Sequence, residues 1–153
     1  MSIIIPGKLY LGGALDAAFH DTFITTHRIT HILNCTNEVG MVYPTSVIGY
    51  RIALEDDNPE GSNELLKKGA EVLKQWLNDP DAIILVHCFA GMSRSVSVII
   101  AYLVIDKNYT VRDAVKYLSN RRPFIRPFKG FLNEIRVHET YKAKLFSCLT
   151  PKN

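Results

Sequence analysis

The segment His87-Cys88-Phe89-Ala90-Gly91-Met92-Ser93-Arg94-Ser95 places a nucleophile, a glycine, two hydroxyls and a guanidinium within nine residues. An apolar run over 82–86 leads into it and a charge-free apolar run over 95–105 follows it. A strand feeding a short loop that opens a helix turns successive backbone N–H groups into one concavity. The positive end of the helix dipole lies behind them, which makes an anion site. The same field favours a thiolate, so Cys88 is expected to ionise more readily than a free cysteine. A thiolate beneath a bound phosphoryl group is placed to attack phosphorus. Arg94 would add a planar, two-pronged grip on the phosphate oxygens.

A cysteine with an arginine six residues on is weak evidence by itself, and a lone cysteine is more often a small buried hydrophobe. The surroundings are what restrict the reading. Position 41, six after Cys35, is Met41, and Cys148 lies too near the end of the sequence, so only Cys88 has the full arrangement. The loop also falls beyond the carboxyl end of a strand, where open α/β sheets bind ligands.

The elements that must position this loop are readable as patterns. Residues 8–11 suit a short strand, 14–28 are helical in part, and 29–35 and 50–54 alternate as strands do, with Ile52 and Leu54 on one face. Apolar positions across 65–77 recur with the period of an amphipathic helix, started near Pro59 or Ser62 and ended by Asn78-Asp79-Pro80. The 82–86 run is apolar on both faces, as in the middle of a covered sheet. Thr110-Val111-Arg112-Asp113 has the form of a capping box, and a last helix is expected over 128–146. Together these predict one α/β domain over residues 1–153, in three layers.

The chain resembles the dual-specificity phosphatases of the cysteine-dependent protein tyrosine phosphatase superfamily, in a small, atypical form. The loop matches their HC-x-x-G-x-S-R-S signature. Ile5-Pro6-Gly7-Lys8-Leu9-Tyr10-Leu11-Gly12, Ile32-Leu33-Asn34, Ala101-Tyr102-Leu103-Val104 and Gly130-Phe131-Leu132 are similar to other segments of the family. Phe128 departs from it, because an asparagine often follows the corresponding proline. The resemblance implies a central mixed sheet flanked by helices, and a two-step reaction through a phosphocysteine. Cys88 would be the nucleophile, and Phe89, Ala90, Gly91, Met92, Ser93 and Arg94 would bind the phosphate. Ser95 would donate a hydrogen bond to the sulfur, while His87 would support the loop from behind. The acid that protonates the leaving oxygen would come from Glu55-Asp56-Asp57, with alignment favouring Asp56 over Asp57.

The remaining features bound the reading. Three cysteines, odd in number and far apart, oppose a disulfide framework and fit a reducing compartment, the cytoplasm or nucleus. A net charge of +3 identifies no nucleic-acid partner. No stretch suits a membrane anchor, and no secretory signal is visible. His20, His27, His31 and His138 lack metal-ligand spacing, so neither metal nor cofactor is expected. The basic residues at 121–129 read as a solvated face, with Phe124 as a candidate wall of the substrate groove. Phe89, Ala90 and Met92 carry no charge. Inositol-lipid phosphatases of the superfamily carry lysines in this loop, so phosphoproteins are the expected substrates. A phosphoprotein-binding module, or a phosphatase acting on RNA ends or phosphoinositides, are the alternatives.

Overall fold

The computed structural model describes residues 1–149. Among them five strands form one mixed sheet. In chain order these are β1 (Ser2–Ile5), β2 (Leu9–Gly12), β3 (His31–Asn34), β4 (Ile48–Arg51) and β5 (Ile84–His87). Their spatial order is β1-β2-β5-β3-β4, with β1 antiparallel to β2 and every other pair parallel. The helices are α1 (Ala14–Ala18), a π-helical segment (His20–Ile24), α2 (Ser62–Asn78), α3 (Arg94–Lys107), α4 (Val111–Arg121) and α5 (Lys129–Leu149).

Alternation along the central strands produces the layers. Leu9, Leu11, Leu33, Ile84 and Val86 point to one face, where they meet buried residues of α2, α3, α4 and α5. Tyr10, Ile32 and Leu85 point to the other, against Ala17 of α1, Ile24 and Ile29. A strand buried on both faces is apolar along its run, as β5 is over Ile84–Val86 before the hydrogen-bonded His87, and β5 is the strand flanked by β2 and β3. Each fully buried aliphatic side chain there contributes about 1.5–3 kcal/mol. The start of the loop that follows is therefore anchored by the best-packed strand in the molecule. At its far end α3 is buried from Arg94 through Val104, all round its circumference, so its N-terminus is fixed as well.

Several expected elements sit differently. The short strand expected over 8–11 is β2, and a turn at Pro6-Gly7 precedes it, where Gly7 has φ +68° and Lys8 N–H bonds back to Ile5 O at 3.0 Å. The chain ahead of it returns as β1. The strand expected over 50–54 runs instead over Ile48–Arg51, because its only partner, β3, ends at Asn34. Ile52 and Leu54 lie past its end, yet both are buried. The capping box is half realised: Thr110 Oγ1 accepts the Asp113 N–H at 3.1 Å.

Candidate active site

Cys88 leaves β5 and enters a loop that closes at Ser93, the residue before α3. Its sulfur is 3.1 Å from Ser95 Oγ and accepts the Gly91 N–H at 3.2 Å. Burial pushes the thiol up, but hydrogen bonding from the Ser95 hydroxyl and from the amides of Ser95, Gly91 and Ser93 outweighs it. The Cys88 thiol is left below its ordinary value. Cys35, one strand away and equally buried, has no such ring of donors. Burial, with the charge of Cys88 beside it, pushes Cys35 well up. Depth alone would protonate both; the curled loop separates them.

The curl depends on Gly91, whose φ is +69° and whose missing Cβ would lie 2.6 Å from Gly12 O. Phe89 O accepts the Ala14 N–H at 2.8 Å, joining the loop to the start of α1. His87 is fully buried, and burial lowers its pKa from the usual value. Its Nδ1 donates to Cys88 O at 3.0 Å, which leaves Nε2 to accept from the Tyr43 hydroxyl at 3.3 Å. The Ser93 hydroxyl turns away from the sulfur and accepts the Phe128 N–H at 2.9 Å, while Met92 O accepts the Arg126 N–H at 2.8 Å. A backbone group at position 128 makes this brace, so phenylalanine serves where the family often has asparagine.

The basic stretch at 121–129 is not uniformly a solvated face. Arg121, Arg126 and Lys129 are exposed, but Arg122 is buried, directed at the loop from behind. Phe124 is 54% exposed and packs over the Arg122 guanidinium at 4.4 Å.

Arg94, at the first position of α3, is 3% exposed. Its two terminal nitrogens donate in parallel to Glu38, at 2.8 Å to Oε2 and 2.6 Å to Oε1, and Nη1 also reaches Leu54 O at 3.3 Å. Burial opposes its charge, but the Glu38 hydrogen bonds and carboxylate outweigh that and hold the pKa above the usual value. Sequence reasoning missed Glu38. Its one signal was position, in the loop beyond the carboxyl end of β3 and so on the edge that carries Cys88. That loop is strapped in place. Asn34 Oδ1 accepts from the Thr36 hydroxyl and amide, and the Arg51 guanidinium donates to Thr36 O and Val39 O at 2.7 and 2.9 Å.

Asp56 Oδ1 lies 3.9 Å from Arg94 Nε, with the carboxylate 64% exposed above the loop. Asp57 occupies the following left-handed turn position at φ +52°, exposed. Cys88, Gly91, Arg94, Ser95 and Asp56 are thus brought together, with Phe89 and Ala90 exposed at the rim and Met92 half-buried. Of the histidines, His27 tilts against Tyr10, His31 against Trp76, and His138 lies 3.4 Å from Asn63 Nδ2; the side chain of His20 is outside the described set. Among the described residues no group of three or more His, Cys, Asp or Glu is arranged to hold a metal ion, and no helix is long and apolar enough to cross a membrane.

The family comparison agrees with this strand-loop-helix crossing on a mixed sheet, with a buried cysteine held by loop donors at its base. Residues 9–141 match the model of the dual specificity phosphatase catalytic domain, and the chain belongs to that family. It is 34% identical over 143 residues to a Dictyostelium discoideum protein named a probable rhodanese domain-containing dual specificity protein phosphatase, covering 92% of this chain and 29% of that one. It is 31% identical over 134 residues to the mouse protein phosphatase Slingshot homolog 3, covering 86% of this chain and 20% of that one. The crystal structure of the human tyrosine phosphatase-like serine/threonine/tyrosine-interacting protein superposes with a TM-score of 0.80 at 27% identity, over 94% of this chain and 97% of that one. The chain spans between a fifth and about half the length of the first of its curated relatives.

Proposed function

We propose that this domain is a protein phosphatase that hydrolyses phosphotyrosine, and phosphoserine or phosphothreonine, through a phosphocysteine intermediate. The observation that carries the reading is a buried sulfur held by the Ser95 hydroxyl and the loop amides, with the Arg94 guanidinium fixed nearby. In the first step the Cys88 thiolate attacks phosphorus, the P–O bond to the substrate breaks, and Asp56 gives its proton to the leaving oxygen. Charge spreading over the phosphoryl oxygens is met by the loop amides and by the N–H groups of Arg94. In the second step water attacks the phosphocysteine, with Asp56 now taking its proton. The sulfur leaves as a thiolate, eased by the hydrogen bond from Ser95. The uncharged rim of Phe89, Ala90 and Met92 supports phosphoproteins over inositol lipids as substrates. Free thiols at Cys35 and Cys88 suit a reducing compartment, the cytoplasm or nucleus.

A panel of phosphotyrosine and phosphothreonine peptides, phosphoinositide and 5′-phosphorylated RNA, assayed with wild type and Cys88→Ser, tests the reading. Turnover of phosphopeptides by wild type, abolished in Cys88→Ser with peptide binding kept, is expected. Retained turnover by Cys88→Ser would remove the nucleophile. Binding without turnover by wild type would instead make the domain a phosphoprotein-binding module, a reading that the structural likeness to an interacting protein keeps in view.

A further inference from the structure

Arg122 follows the last turn of α4 and is 6% exposed, an unusual depth for an arginine without a carboxylate in contact. Each of its three nitrogens is committed. Nε donates to Gly91 O at 2.8 Å, Nη2 to Ala90 O at 3.3 Å, and Nη1 to Ser2 Oγ of β1 at 2.9 Å. The Phe124 ring covers the guanidinium at 4.4 Å.

In a planar trans peptide the carbonyl of one residue and the N–H of the next point in opposite directions. Holding Ala90 O from behind therefore sends the Gly91 N–H forward, and that N–H is the one bound to Cys88 Sγ. Holding Gly91 O does the same for the amide of Met92. The next plane is held by Arg126 N–H on Met92 O, which turns the Ser93 amide forward. Three consecutive peptide planes are thus braced from one short segment of chain. The first two depend on a single side chain.

We propose that Arg122 is a positioning residue of the phosphate loop, whose guanidinium locks the Ala90–Gly91 and Gly91–Met92 peptide planes with their amides facing the bound oxyanion. It does not touch substrate. It acts through the backbone, and it ties the loop to β1 through Ser2. A lysine has no planar fork, so its ammonium would not fix the two peptide planes in one orientation as the guanidinium does. The proposal rests on the phosphatase reading, since it supposes that the loop binds phosphate.

The test is protection of Cys88 from iodoacetamide by inorganic phosphate, with the modified peptide identified by mass spectrometry, in wild type, Arg122→Lys, Arg122→Met and Ser2→Ala. Saturable protection in wild type is the prerequisite; its absence defeats the active-site reading and this proposal with it. With wild type protected, Arg122→Met is expected to need about tenfold more phosphate or beyond, as both hydrogen bonds to the loop carbonyls are lost together with the anchor on Ser2. Arg122→Lys should fall in between, with thermal unfolding showing that the variants are folded. If Arg122→Met does not fold, Arg122→Lys and Ser2→Ala carry the comparison through a weakened fork and a loosened anchor. Folded Arg122 variants that match wild type in phosphate protection would overturn the proposal.

Discussion

The Arg94 guanidinium and the Glu38 carboxylate meet as two parallel hydrogen bonds of 2.8 and 2.6 Å, although 56 residues separate them in sequence. The arginine is buried and the carboxylate is 47% exposed, so the pair spans the boundary between core and solvent. A fork-to-fork contact fixes the guanidinium plane as well as its position. Arg94 is thereby held in one orientation before any phosphate arrives, and ordering that would otherwise accompany binding is already complete.

Glu38→Gln keeps the shape but removes the charge from this contact. With the carboxylate half in water the contact contributes about 1 kcal/mol, so kcat/KM for p-nitrophenyl phosphate is expected to fall about 5- to 10-fold. Wild-type kinetics in this variant would show that Arg94 needs no such partner. The Arg94 hydrogen bonds lower the Glu38 pKa in the folded protein. Its contribution to stability is therefore fully present above the pKa of an unfolded glutamate and is lost as pH falls through the lower folded value. Because the carboxylate is half in water, that contribution is small. Chemical denaturation across the acid range should show a slightly flatter profile for Glu38→Gln than for wild type.

Ser95→Ala removes the hydroxyl 3.1 Å from Cys88 Sγ. The sulfur should then be a poorer leaving group, so the second step slows more than the first. Rapid mixing with p-nitrophenyl phosphate is expected to give a burst of p-nitrophenol larger than that of wild type, followed by slow turnover. Equal slowing of burst and steady state would assign Ser95 to loop structure alone.

Asp56 and Asp57 are adjacent in sequence but differ in setting: one carboxylate approaches Arg94 Nε at 3.9 Å, and the other residue occupies a left-handed turn. Asp56→Asn is expected to slow alkyl phosphates, whose leaving oxygen needs a proton, by about 10²- to 10⁴-fold. Esters of acidic phenols should suffer less, and Asp57→Asn should resemble wild type on both. The reverse pattern would move the acid to Asp57. Silence in both variants would take it out of this loop.

Much of this site was legible because its central part is contiguous. Strand, loop and helix follow one another from Ile84 to Lys107, and a local pattern can describe them. The amphipathic repeat of α2 and the doubly apolar β5 were readable for the same reason. Glu38 and Arg122 were not. Each acts on the loop only after the sheet order has placed β3 beside β5 and the chain leaving α4 has brought Arg122 behind Gly91. A glutamate in a loop and one arginine among several carry no sign of that placement. The strand expected over 50–54 shows the same limit at the sheet edge, where the length of its partner β3 decided where pairing stopped.

The proposed reaction requires an ionised sulfur at Cys88, and the rate of its alkylation against pH reports that ionisation. Iodoacetamide labelling resolved by peptide mapping separates Cys88 from the exposed Cys148 and the buried Cys35. The donors around Sγ predict a midpoint below that of an ordinary free cysteine measured under the same conditions. In Ser95→Ala the midpoint should move upward. A wild-type midpoint at or above the free-cysteine value would contradict the account.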